Sequence, residues 1–188
     1  MIAKLAFDHP KGVIDIDGQP IKSDNYCAWQ AHIVHVPKYI FLTENTIEEN
    51  IAFGVPKSKI GQVRVRQAAH QAQIFDIIET WPKQYQTFVG ELGIRLSSGQ
   101  RQGIGNARAL YKQADVIIFD EATIALDNET EQAVMQAIEG LSANLTIFIL
   151  AHRFTPLKNC QQNVQLGDGG IKRIGTYHDI VNQAICIL

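Results

Sequence analysis

From Gly12 to Gly18 (GVIDIDG) apolar Ile14 and Ile16 interleave with Asp15 and Asp17. A period of two is that of a half-buried strand, and Asp17-Gly18 is a turn dipeptide that closes it. Ala31 to Val36 (AHIVHV) alternates in the same way until Pro37, which has no N–H to offer a sheet ladder. Between Thr46 and about Tyr85 the apolar positions spread out (Ile47, Ile51, Val63, Val65, Ala68, Ala69, Ala72, Phe75), a spacing that predicts several short helices.

A glycine-rich stretch, Gly90 to Gly99, leads into a predicted helix from about Gln100 to Tyr111, in which Gly103 and Gly105 each cost about 1 kcal/mol relative to alanine. Val116 to Phe119 (VIIF) is apolar at every position, as in a central parallel strand covered on both faces, and Asp120 follows at its carboxyl end. Asn128 and Glu131 have capping-box spacing and Val134, Ile138 and Leu141 recur at helical steps, which predicts a helix from near Asn128 to near Gly140. A second buried strand is expected at Leu145 to Leu150. A hairpin follows (Asn163 to Leu166, Asp168-Gly169, Gly170 to Ile174), then a terminal helix from Tyr177. Buried strands alternating with helices make an α/β chain. In that class ligands sit beyond the carboxyl ends of parallel strands, here at Asp120 and just after Leu150.

Composition narrows the function classes. The 188 residues are 46% hydrophobic and 19% charged, enough apolar material for one sizeable core in one domain with or without a subdomain. With 17 Lys and Arg against 19 Asp and Glu, the net charge of −2 argues against a dedicated nucleic-acid binder, which needs a cationic surplus. Three scattered cysteines, Cys27, Cys160 and Cys186, form no CxxC pair, so a reducing compartment is expected. No apolar run approaches the roughly 20 residues of a spanning helix, and Met1 to Phe7 is too short for a signal peptide.

Two segments carry candidate chemistry. Asp120 and Glu121 are adjacent carboxylates at the mouth of a buried strand, where a metal–nucleotide complex could sit; the plainer alternative is a solvated turn. Leu96-Ser97-Ser98-Gly99-Gln100 precedes a helix, so its backbone N–H groups and the Ser97 hydroxyl would face an anion along the helix dipole; the plainer alternative is a serine cap.

Together these segments resemble the nucleotide-binding domain of ATP-binding-cassette transporters. LSSGQRQ (Leu96 to Gln102) is similar to the family signature LSGGQ, Val116 to Glu121 to the Walker B strand, Ile124 to Asp127 (IALD) to the D-loop, and Ala151-His152-Arg153 to the switch histidine. Val89 to Gly93, Thr46 to Gly54 and Gly167 to Gly175 resemble exporter-type segments, and the likeness covers essentially the whole chain. It implies a P-loop-type α/β core with a mainly parallel sheet and a helical subdomain at about residues 38–112. Asp120 would hold Mg2+ through its water shell, Glu121 would be the general base, and His152 would contact the γ-phosphate. Ser97, Ser98, Gly99 and Gln100 would meet ATP held by the opposite protomer of a head-to-tail dimer, and Asp127 would cross that interface. The other implied partner is a transmembrane domain, which places the chain at the cytoplasmic face of a membrane.

Departures from the family pattern bear on catalysis. No Gly-Lys-Ser or Gly-Lys-Thr occurs, so the GxxxxGK[ST] loop that grips the β- and γ-phosphates is missing, and Met1 to Asp8 resembles the latter part of the helix that follows it. An amino-terminal truncation is the economical expectation. Lys38 stands where the family has the glutamine that reaches the metal and attacking water, and its charge is expected to swing away or to weaken metal binding. Ser98 replaces a signature glycine, and Gly103 and Asn106 depart in the helix that follows. Two rival readings remain: a non-catalytic dimer partner that presents its signature to another subunit's ATP, and a DNA-associated ATPase of the same superfamily. The second usually carries long coiled-coil insertions, which the segment from Lys38 to Tyr111 lacks.

Overall fold

The computed structural model describes residues 14–90, 94–121, 128–139, 145–151 and 157–184. It divides the chain into two compact units, Met1–Phe148 and Ile149–Leu188.

The first unit opens with a small hairpin, β1 (Asp15–Ile16) against β2 (Gln19–Pro20). Asp17 and Gly18 turn it with φ of 51° and 75°, the positive values that a two-residue primed turn requires. Helix α1 (Tyr26–His32) then runs directly into β3 (Ile33–Val36), so the strand expected from Ala31 is two residues shorter. Ala31 and His32 close a helical turn instead, because alternation over two residues cannot separate a last turn from a first strand pair. Strand β4 (Val116–Asp120) lies parallel to β3, with Ile33 opposite Val116 and Val36 opposite Phe119. Strand β5 (Thr146–Leu150) flanks β4 on its other side, and the Thr146 N–H donates to the Asp115 carbonyl at 2.9 Å.

The stretch expected to hold short helices contains α2 (Ile47–Ile51), α3 (Gln62–Gln71) and α4 (Phe75–Thr80), with single 3-10 turns at Lys57–Lys59 and Gln84–Gln86. Thr46 and Glu49 form a reciprocal capping box at the start of α2. Helix α5 (Ser98–Lys112) packs against α2, α3 and β3 and places Ile104 and Ala107 in a core with Ile47, Ile51, Val65 and Ile78. Its glycines mark close approach: a Cβ on Gly103 would lie 3.0 Å from Ile74 Cδ1, and one on Gly105 would run into the Ile40 side chain. The helical cost of two glycines is thus offset by tight packing of two isoleucines. Asn106 is fully enclosed, and among the described residues neither its amide nitrogen nor its oxygen has a hydrogen-bond partner. Helix α6 (Asn128–Glu139) contains Asn128, so it starts one residue earlier than the Asn128 to Glu131 capping spacing indicated.

β4 is apolar and buried at its centre as expected. β5 is not the buried strand that its composition suggested: Phe148 and Leu150, two residues apart on one face, are 55% and 45% exposed. An apolar strand becomes buried only where a second layer lies over that face.

The second unit holds the expected hairpin, β6 (Asn163–Gly167) paired antiparallel with β7 (Gly170–Gly175) around Asp168-Gly169. Helix α7 (Tyr177–Ala184) follows, with the Asp179 carboxylate accepting from the N–H and hydroxyl of Thr176.

Candidate functional site

The parallel register of β3 and β4 decides which side chains meet. Val36 lies opposite Phe119, so two more residues bring Lys38 level with Glu121. Lys38 Nζ sits 2.6 Å from Glu121 Oε2. The lysine expected to swing away from a bound metal or to weaken its binding is paired here with the second acid. Donating a hydrogen bond to the Glu121 carboxylate raises the Lys38 pKa above its ordinary value, so the ammonium stays charged. Glu121 also has a left-handed backbone (φ 51°), which costs a non-glycine residue about 1 kcal/mol and is the kind of strain that collects at functional positions.

Composition and motif reading missed His35. It faces Ile118 across the ladder, and Asp120 lies on the same face of β4 two residues further on, which brings His35 Nε2 to 3.4 Å from Asp120 Oδ2. A similar pairing at the other end of the ladder joins His32 to Asp115. The repeat was visible as His32 and His35 on one segment and Asp115 and Asp120 on another, but only the register pairs them. Asp120 and Glu121 thus each face a basic side chain delivered from the end of β3.

Magnesium keeps several waters and takes one or two carboxylates. Asp120 fits this: it is a part-exposed carboxylate at the open end of a strand, and its contact with His35 is long. Among the described residues no group of three or more His, Cys, Asp or Glu converges as an all-protein metal site, so water and ligand oxygens would have to complete the shell.

Ser97 to Gln100 form the first turn of α5. Ser97 Oγ accepts from the Gln100 N–H at 3.2 Å, while Gln100 Oε1 accepts from the Ser97 N–H at 2.9 Å. The cap alternative is therefore real, but it does not bury the turn: Ser97 and Ser98 are exposed, and Gly99 and Gln100 are half-buried. Ser97 and Ser98 thus stand exposed at the start of a 15-residue helix, with the positive end of the helix dipole behind them. Among the described residues no hydrogen bond or ion pair joins this turn to Lys38 or Asp120. Two predicted site residues, Asp127 and His152, lie outside the described residues, as do Met1 to Asp8, Glu91 to Gly93 and the rest of the IALD segment.

The ABC transporter family description matches residues 1–124. This chain belongs to the ABC transporter family. Among curated ABC relatives it is 39% identical over 178 residues to an ATP-dependent lipid A-core flippase of Saccharophagus degradans, covering 95% of this chain and 30% of the flippase. It is 36% identical over 177 residues to the ABC transporter ATM1 of Toxoplasma gondii, covering 94% of this chain and 16% of that protein. Among solved structures it superposes on a bacterial Atm1-family ABC exporter with ATP bound, with a TM-score of 0.87 and 34% identity, covering 97% of this chain and 32% of the exporter. The chain therefore spans about a third or less of the length of these relatives. Its α/β fold is that of an exporter-type ABC nucleotide-binding domain.

Proposed function

We propose that this chain is part of the ATP-binding and ATP-hydrolysing domain that powers export by an ABC transporter. The observation that carries the proposal is the superposition of 97% of the chain on an exporter solved with ATP bound. Asp120 would bind the magnesium ion of Mg-ATP through water, and Glu121 would take the proton of the attacking water. His152 would orient the γ-phosphate, and Asp127 would cross the interface to a second nucleotide-binding domain. Ser97, Ser98, Gly99 and Gln100 would close over ATP held by that second domain, where amides and a hydroxyl act on phosphate charge. Magnesium, when bound, neutralises charge on the phosphate oxygens; the chain's own part is positioning and proton transfer.

The membrane domain would dock beside Lys38. Tyr39 and Phe41 are largely exposed, and Phe53 and Phe88 are about half exposed. Arg108 on α5 holds Phe41 by donating to its carbonyl at 3.1 Å, donates to the Asn50 carbonyl at 2.9 Å, and lies 4.7 Å from the centre of the Phe53 ring. Aromatic side chains held outwards suit the end of a helix from a membrane domain. Such a partner would put the chain at the cytoplasmic face of a membrane; no described helix is itself long and apolar enough to cross one.

A specific observation favours a second reading, in which the chain presents its signature but does not hydrolyse. Glu121, as general base, would have to take a proton from water while its Oε2 is held by the Lys38 ammonium at 2.6 Å. ATP turnover measured with the chain added to a hydrolysis-competent ABC partner tests both readings. Under the first, Glu121→Gln lowers the chain-dependent turnover; under the second, Glu121→Gln leaves it unchanged, while Ser97→Glu removes it. If the chain neither raises turnover nor responds to Ser97→Glu, both readings fail.

A further inference from the structure

We infer that Lys38 and a divalent cation are alternative occupants of the Asp120–Glu121 acid pair, so that Lys38 acts as an internal competitor for the metal. The inference rests on Asp120 as the metal residue and adds to it a device built from this chain's own charges.

The geometry is specific. The β3–β4 register carries Lys38 to the carboxylate adjoining Asp120, and the contact is an ion pair of 2.6 Å. Glu121 is largely buried, and its Oε2 is held by the Lys38 ammonium, whose side chain is about a third exposed. Lys38 Nζ also lies 5.8 Å from the centre of the Tyr39 ring, an added hold on the same pose. From the other side His35 reaches Asp120 at 3.4 Å, too long to block the carboxylate.

A magnesium or manganese ion entering at Asp120 would come within a few ångströms of the ammonium. Repulsion between a dication and a monocation at such a distance weakens binding by on the order of tenfold, even when strongly screened. Entry of the metal and departure of Lys38 from Glu121 are therefore one event, and the lysine side chain is long enough to leave without moving β3.

The experiment uses Mn2+ alone, without nucleotide, so that nothing in it depends on ATP binding or hydrolysis. Electron paramagnetic resonance counts free Mn2+ during titration of the wild-type chain and of the Lys38→Gln, Lys38→Met and Lys38→Arg variants. The expected result is binding about tenfold or more tighter in Lys38→Gln and Lys38→Met, no gain in Lys38→Arg, and loss of the gain when Asp120→Asn is combined with Lys38→Gln. Two uncharged replacements, each checked for a native circular dichroism spectrum, separate a charge effect from damage to the fold. Equal affinity of the wild type and both uncharged variants overturns the competition; if Asp120→Asn still abolishes binding in that case, Asp120 remains the metal residue and only the role of Lys38 falls. Binding that is indifferent to Asp120→Asn throughout overturns both.

Discussion

The first turn of α5 and the carboxyl end of β4 belong to the same compact unit and meet opposite electrostatic fates. At Ser97 to Gln100 the chain satisfies its own cap and still leaves Ser97 and Ser98 exposed. At Asp120 and Glu121 it fills the site from within, with His35 facing one acid and Lys38 pairing with the other. The signature turn therefore remains exposed, whereas of the two acids Glu121 is closely paired and Asp120 has only a long contact. This contrast is what a subunit that assists another's turnover would show.

The largest expected effect lies at the open end. Ser97→Glu puts a carboxylate where phosphate is to approach, and should reduce chain-dependent turnover of a competent partner by on the order of a hundredfold. A similar loss from Glu121→Gln would erase the contrast between the two ends. The isolated chain is expected to bind Mg-ATP poorly, and tight one-to-one binding by calorimetry would show that the missing phosphate loop matters less than argued.

Arg108→Ala should come next. It strips the Asn50 and Phe41 carbonyls of a part-buried guanidinium, and should lower stability by about 2–3 kcal/mol in a denaturant titration. Burial lowers the Arg108 pKa, yet an arginine stays charged across the working range. If the loss is confined to exchange protection in residues 39–53, the docking face and the acid pair are held independently.

Smaller effects test α5 and α2. Asn106→Leu replaces an enclosed amide without partners by an apolar side chain of similar branching, and should raise stability by about 1–2 kcal/mol. A loss instead would reveal a partner for that amide. At α2, hydrogen bonds from Thr46 hold the Glu49 pKa below its ordinary 4.5. A depressed carboxylate contributes stability that is present above its unfolded pKa and is lost as pH falls through its folded value. Amide protection across Ile47–Asn50, measured relative to the unfolded chain at each pH, should therefore decline progressively below about pH 4.5, and Thr46→Ala should remove that dependence at a cost of about 1 kcal/mol.

Much of this architecture was legible because it is written locally. The Asp17-Gly18 and Asp168-Gly169 turns, the helix after Gln100 and the apolar core of β4 depend on dihedral preference and short-range periodicity, which each segment carries with it. The signature and the acid pair were likewise readable as ordered motifs. Local pattern failed where a neighbour decides. The burial expected for β5 depends on a covering layer, and the glycines of α5 make sense only against Ile40 and Ile74. That Lys38 reaches Glu121 and His35 reaches Asp120 depends on the parallel pairing of β3 with β4, since these partners are more than eighty residues apart in sequence. The sequence by itself determined which chemical groups this protein owns and which segments bear them. The tertiary structure alone decided which charges share a space, because Coulomb interactions follow distance in space and not separation along the chain.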